Sequence, residues 1–411
     1  MMSKAIRALT KDWHELVKVI PDDLDKSAKE HQALRRRRGI KSGADLLRLI
    51  LLYAIVLSLR LTAIWGVGLQ LCDISRQAIE KRVLNSTAWL RHLVAVLLDA
   101  IVPVSTRLLG VIKRLVLRDG STISRPGSPG TEFRLHLSWQ PFALQPVELT
   151  MTDAHTGEGL ADAGIQPGDL VLADRAYGIW REVRVVLDAL AYLVIRLTWS
   201  NLPLRTLDGQ PFDLPTWLRS IPENQQMAEV VVYAADDPQQ RPLRLVAGRV
   251  PPEKAKETRD AVYRRAHKKK RSPHPNTLLA AGFVILLTNL PAYAWPTQTI
   301  LAWYRVRWQV EWCFRRWKSL CCLDQLPSYP APIAEPVLLA KIIIILLMQK
   351  RLGTLPWTDW WMNSHESVPV VSTVVQLAYA RVCDLIRPTD VIDQLLQNPG
   401  PLLRHLRSSR R

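Results

Sequence analysis

Asp169-Leu170-Val171-Leu172-Ala173-Asp174-Arg175-Ala176 is a short apolar run that ends on a carboxylate, and Leu115-Val116-Leu117-Arg118-Asp119-Gly120-Ser121 repeats that design earlier in the chain. Unbroken Leu, Val and Ala without alternation suit a strand covered on both faces, as in a sheet flanked by helices. Adjacent strands of such a sheet set their terminal carboxylates side by side, where two acids either share a proton or hold a cation. Taken singly, each aspartate also suits ordinary turn or cap duty.

The neighbouring sequence extends the pattern. Arg134–Trp139 and Val147–Thr152 read as further strands, so residues 106–190 form the first part of an α/β or α+β core. Residues 1–105 read as helical, with a basic run at Arg35–Arg38. Within them, Leu69–Val83 fits a helix, a turn and a second helix with Ser75 near its cap, which suits either a helix-turn-helix DNA reader or a plain helical hairpin. Leu193–Leu197, Val230–Tyr233 and Leu243–Ala247, separated by Pro, Asp and Gly turns, make residues 191–285 an inserted, mainly β segment. Near its end, residues 253–271 hold nine Lys or Arg against three acids, suited to phosphate or to a solvated helix face. The core resumes over 286–350 and a helical region follows over 351–411, ending in a basic tail at Arg404–Arg411.

The third acidic element lies in Trp303-Tyr304-Arg305-Val306-Arg307-Trp308-Gln309-Val310-Glu311-Trp312-Cys313-Phe314-Arg315-Arg316-Trp317-Lys318. At about 100° per residue, Arg307 falls at about −60° from Tyr304, Glu311 at about −20° and Lys318 at about −40°. One face of that helix thus carries a phenol, a carboxylate and two cations. Charges at helical spacing often form only a solvated face, yet the surrounding tryptophans point to burial.

Bulk properties narrow the partner. The 411 residues carry 55 Lys and Arg against 37 Asp and Glu, a net charge of +18 that favours a polyanion such as nucleic acid. With 48% hydrophobic and 22% charged residues the chain is a folded protein of two or three units. The apolar runs Leu49–Leu59 and Ile342–Met348 are short of a bilayer span and bracketed by Arg or Lys, and Met1–Pro21 is charged, so no membrane and a cytoplasmic location are expected. The five cysteines lack repeated spacing and are expected as reduced thiols, adjacent Cys321 and Cys322 suiting neither a metal site nor a disulfide. Asp153, His155 and Glu158 sit where a strand turns into a loop and read as turn or cap residues. No Gly-x-x-x-x-Gly-Lys-Ser/Thr loop calls for nucleotide hydrolysis.

The spacing Tyr304, Arg307, Glu311, Lys318 resembles the Tyr-Arg-Glu-Lys signature of bacterial insertion-sequence transposases of the "insertion sequence four" type, without a spacing error. The resemblance extends to Asp119-Gly120-Ser121, Val147–Glu158, Ala173–Tyr177, the basic run before residue 272 and Leu287–Pro291, covering most of residues 110–320.

It implies a multidomain α+β chain with a ribonuclease-H-like catalytic core interrupted by a mainly β insertion, between helical N- and C-terminal regions. The implied catalytic and metal-binding residues are Asp119, Asp174 and Glu311, holding two Mg²⁺ ions, with Mn²⁺ as a substitute, that activate a water or a 3′-hydroxyl. Tyr304, Arg307 and Lys318 would contact DNA phosphates beside the cut. Trp295 and Trp303 are candidates to stack a flipped base, with core packing the competing role. The implied function is cut-and-paste transposition on double-stranded DNA, acting as a homodimer on paired terminal inverted repeats and a target. The competing readings are a non-catalytic repressor derived from a transposase and a ribonuclease-H-like nuclease.

Overall fold

The computed structural model describes residues 12–37, 39–100, 111–141, 145–328, 331–352 and 367–388, with a few isolated positions beyond. Arg38, the segment around residue 105 and the tail at Arg404–Arg411 lie outside the described residues. The chain is α+β, with one mixed nine-stranded sheet.

Among the described residues, six helices come first: α1 (Trp13–Val17), α2 (Leu24–Glu30), α3 (Gly43–Val56), α4 (Leu59–Gly68), α5 (Arg76–Asn85) and α6 (Thr87–Asp99). Asp12, Asp23, Ser42, Ser58 and Ser75 each cap the helix that follows with a side-chain oxygen, the residue type that a helix start selects. Ser75 therefore opens a helix as expected. Leu69–Ile74, expected as the first helix of the reader, is the connector between α4 and α5: α4 ends at Gly68, and Gln70 adopts a positive φ of 55°.

Strands β1 (Arg114–Ile123), β2 (Phe133–Gln140), β3 (Gln145–Asp153), β4 (Asp169–Ala173) and β5 (Tyr192–Arg196) make half of the sheet, with α7 (Trp180–Asp188) crossing from β4 to β5. β2 runs antiparallel to β1 and β3 antiparallel to β2, whereas β4 and β5 continue from β1 in parallel. Beyond β5 the order is β9 (Phe283–Thr288), β8 (Leu243–Arg249), β7 (Met227–Ala234) and β6 (Leu204–Arg205), all antiparallel. The 191–285 segment thus adds strands to the edge of the same sheet. It also carries α8 (Leu214–Ser220), α9 (Pro252–Lys268) and α10 (Pro275–Ala280), so helix is a larger share of it than the strand-like runs suggested.

Side-chain alternation sorts the central strands between two cores. Leu115, Leu117, Leu170 and Leu172 join one cluster with the N-terminal helices and with α11 (Thr297–Tyr304), α12 (Trp308–Ser319), α13 (Ala334–Leu352) and α14 (Ser367–Ile386). Val171, Ala173, Leu193 and Ile195 join the other with α7 and α8. A buried bidentate pair pins the register of β1 on β4: Arg114 Nε and Nη2 donate to Asp169 Oδ1 and Oδ2 at 2.9 and 2.5 Å. The span Ala331–Lys350, mostly α13, is long and apolar enough to cross a membrane by length and composition, but 83% of it is buried inside the protein. Its partners are α3, α6 and α14.

Candidate active site

β1 and β4 pair in parallel up to Arg118 opposite Ala173, so Asp119 and Asp174 follow at the same level; Asp174 lies just past the end of β4, whereas Asp119, expected at a strand end, is inside β1, which continues to Ile123 against β2. Two-residue periodicity gives Asp119 the parity of Leu115 and Leu117, and Asp174 that of Leu170 and Leu172. Both therefore belong to the face covered by Val310, Cys313, Phe314 and Trp317 of α12. Glu311 sits on that helix, which packs on β1.

Arg307 bridges the acids. Its Nη2 donates to Glu311 Oε1 at 2.6 Å and its Nη1 stands 3.6 Å from Asp119 Oδ2. The helix is not continuous through this point: Arg305–Arg307 form a 3-10 turn between α11 and α12. Arg307 is consequently buried, its guanidinium lying over the rings of Tyr304 and Trp308 at 5.8 and 5.7 Å. Burial works against its charge, but Tyr304, Glu311 and Asp119 together raise its pKa. Tyr304 is also buried, with no hydrogen bond to its hydroxyl. Lys318 Nζ donates to the Thr122 carbonyl at 2.9 Å, tying α12 to the end of β1. The expected phosphate contacts thus share the face drawn from the sequence, and that face points at the sheet.

The Asp119 carboxyl is pushed up to about 7 from the ordinary 3.8. Burial is the main cause, and Glu311 and Asp174 add to it. The Gly120 N–H, donating to Oδ1 at 2.9 Å, and Arg307 oppose the shift but do not cancel it. An ion pair ordinarily lowers a carboxyl pKa; here desolvation and two neighbouring acids outweigh one at 3.6 Å. Asp174 spends one oxygen capping the turn after β4, where Ala176 N donates to Oδ1 at 2.7 Å. Among the described residues no three His, Cys, Asp or Glu side chains are close enough to chelate an ion as they stand.

A model of the "Transposase DDE domain" family matches residues 113–346, more than half of the chain. The chain belongs to the DDE transposase family. The transposase is 33% identical over 335 residues to the putative transposase InsL for insertion sequence element IS186A of Escherichia coli (strain K12), covering 80% of this chain and 90% of the relative. It is equally 33% identical, over 336 residues, to the transposase for insertion sequence element IS421 of Escherichia coli. The transposase for IS231F of Bacillus thuringiensis subsp. israelensis is 25% identical over 373 residues, with 80% of this chain and 77% of that one aligned. Among solved structures, the piggyBac transposase synaptic complex with hairpin DNA aligns over 97% of this chain and 84% of that one, at a TM-score of 0.49 and 11% identity.

Two features of the transposase escaped the sequence reading. Arg175 and Arg196, without ion pairs among the described residues, line a cavity of about 260 Å³ with Trp199, beside Asp174. Arg175 could have been noticed as the residue that follows Asp174. Arg316, on another face of α12 in the wheel, is buried and donates to Ser372 Oγ at 3.2 Å. Asp153 does cap its turn, accepting from His155 N and Thr156 N at 2.9 and 2.8 Å, but Glu158 does not share that duty. Trp295 is buried and packs edge-on to Trp303 at 5.5 Å, which fits the packing role.

Proposed function

We propose that this transposase cleaves and transfers DNA strands with Asp119, Asp174 and Glu311 as its acidic triad, on a ribonuclease-H-like core whose central strands are β1, β4 and β5. The reading rests on one observation above the others: two aspartates, level with each other where the parallel pairing of β1 and β4 ends, face a helix whose glutamate is joined to one of them through a single arginine. The strand order β3-β2-β1-β4-β5, with only β2 antiparallel to the rest, supports the same core. The β6–β8 segment then enters as an insertion between β5 and β9.

The donor set suits two Mg²⁺ ions, or Mn²⁺, because all three ligands are hard carboxylate oxygens. Burial first, with Glu311 and Asp174 adding to it, disfavours a bare charge on Asp119, and divalent cations would offset that charge load. Bound there, the cations would activate the attacking oxygen and stabilise the leaving one. The chain's own residues do the rest. Arg307 must release at least one acid for the oxygens to converge, and a released guanidinium one turn from Glu311 is placed to grip a phosphate beside the scissile bond. Lys318 and Tyr304 flank that position, and Arg175 and Arg196 extend the cationic surface beyond Asp174.

Substrate and assembly follow from the family and the charge: double-stranded DNA at the terminal inverted repeats of an insertion sequence, two copies acting on paired ends in cut-and-paste fashion. The test uses a pre-cut or intact end substrate in Mg²⁺ with Asp119→Asn, Asp174→Asn and Glu311→Gln. Each variant is expected to lose cleavage and keep DNA binding. Retained cleavage in any one removes that residue from the triad, and nicks without joined target products replace transposition with a nuclease reading.

A further inference from the structure

Two of the tryptophans that surround Glu311 are not in the core. Trp308 is 52% exposed and Trp312 37%, one turn apart on α12, and Arg315 follows on the next turn, also exposed. With Glu311 as the origin and about 100° per residue, Arg315 falls at about +40°, Trp308 at about +60° and Trp312 at about +100°. The residues that pack α12 on the sheet, Val310, Cys313, Phe314 and Trp317, are centred about 180° from that stripe. Packing therefore leaves the stripe unexplained, and Glu311 stands at the border between the two faces.

The stripe joins aromatic rings to cations. Arg315 Cζ lies 5.3 Å from the centre of the Trp312 ring, and Arg307 Cζ 5.7 Å from that of Trp308. Glu311 turns to Arg307 and not to Arg315 one turn on, and among the described residues Arg315 forms no ion pair. One exposed tryptophan is ordinary surface, but two on successive turns beside an unpaired guanidinium mark a place of contact. The occupant has to be anionic and to carry flat apolar faces. A second copy of this chain would bring its own net charge of +18 to the stripe, and paired DNA keeps its base faces inside the stack. Unpaired nucleotides offer both features, phosphates to Arg315 and π-faces to the indoles.

We propose that Trp308, Trp312 and Arg315 form a single-stranded DNA-binding ridge on the solvent side of Glu311, where unpaired bases of the strand leading away from the cut stack without regard to sequence. Tyr304, Arg307 and Lys318 lie on the inner side of Glu311, so a strand that crosses this residue passes from their face onto the ridge. The inference rests on the place of Glu311 in the triad for its position beside the cut. The ridge is separate from the Trp295–Trp303 contact, which belongs to the core.

The experiment measures binding of labelled oligothymidine to the full chain in chelator by fluorescence anisotropy, beside a blunt duplex and the same duplex carrying an oligothymidine tail. The tail is expected to add affinity over the blunt end. Trp312→Ala should weaken oligothymidine binding by about tenfold, within the range for loss of one stacked base, and Trp312→Phe, which keeps a ring, should recover most of it. Arg315→Gln should make the salt slope shallower by about 0.7, the share of one phosphate on a single strand, whereas Trp312→Ala lowers affinity at an unchanged slope. Blunt-duplex binding should hardly change in Trp312→Ala. Because Trp312 is exposed, that variant should melt like the unsubstituted chain. Oligothymidine affinity that is unchanged in Trp312→Ala, or a loss equal for single strand and blunt duplex, overturns the proposal. So does a smaller sedimenting mass in Trp312→Ala with DNA binding intact, which assigns the stripe to a contact between copies. Oligothymidine binding needs no metal, so failure of the ridge and failure of the triad, read from cleavage by Glu311→Gln, are told apart.

Discussion

Asp119→Asn should make the protein more stable at pH 8 while abolishing cleavage. In the unfolded chain this carboxyl ionises near 3.8, whereas in the fold it keeps its proton up to about 7. Between those values the folded state binds the extra proton, so stability falls as pH rises through the window, and the penalty is complete above about 7. At 1.36 kcal/mol per unit, the shift corresponds to about 4 kcal/mol as an upper bound. Asparagine is never charged and escapes that penalty, which is already net of the attraction of Arg307 and is reduced further by solvent screening at a partly exposed side chain. A net gain of about 2–3 kcal/mol remains, equivalent to a rise of about 2–4 °C in Tm for a chain of this length. The assay is thermal and denaturant unfolding of both chains in chelator at pH 5, 6.5 and 8, near-native stability differences being read at each pH. The gain should grow from pH 5 to pH 8. A variant no more stable than the unsubstituted chain at pH 8, or a gain that is equal at every pH, refutes the account of Asp119 as a desolvated acid among acids.

Other outcomes follow from the same contacts. Arg307→Ala frees Glu311 and Asp119 from their internal counter-ion, so Mn²⁺ affinity measured without DNA should rise several-fold even as cleavage of an end substrate falls; unchanged affinity means the bridge does not compete with metal. Lys318→Ala should weaken the cleaved-end complex and leave residual nicking, with Arg305→Ala nearly silent on cleavage; Arg316→Ala is unsuitable as a comparison because that side chain is buried and its loss disturbs packing. Affinity for non-specific duplex should fall with salt at a log–log slope of about −0.9 per phosphate neutralised, and charge removal at Lys268–Arg271 should flatten it if α9 lies on DNA. Asp169→Asn breaks the buried pair with Arg114 and should cost about 3–5 kcal/mol of stability, read by denaturant unfolding, without changing Mn²⁺ affinity.

Much of the architecture was legible because local chemistry dictated it. Unbroken apolar runs ending on Asp119 and Asp174 marked β1 and β4, the runs at 134–139, 147–152, 230–233 and 243–247 all lie in strands, as does 193–197 up to Arg196, and Ser75 announced α5. Helices α8 to α10 were less legible, being short, polar or rich in Pro and Lys, where no apolar periodicity stands out. The connector at Leu69–Ile74 misled for the opposite reason: its apolar residues pack inward from a loop as they would from a helix.

For the site, sequence alone determined which residues share a face, since periodicities of 2.0 and 3.6 are local properties of the backbone. That was enough to group Tyr304, Arg307, Glu311 and Lys318, and to pair Asp119 with Asp174. It could not determine which way the shared face points. Only the docking of α12 on β1 decided that Arg307 turns inward onto two carboxylates and that Lys318 holds a strand-end carbonyl. The exposure of Trp308 and Trp312 was likewise decided by tertiary structure, because α12 turns Val310, Phe314 and Trp317 to the sheet instead. Burial and proximity between elements distant in sequence set the charge state of these groups, and neither quantity is written in the spacing of residues along one element.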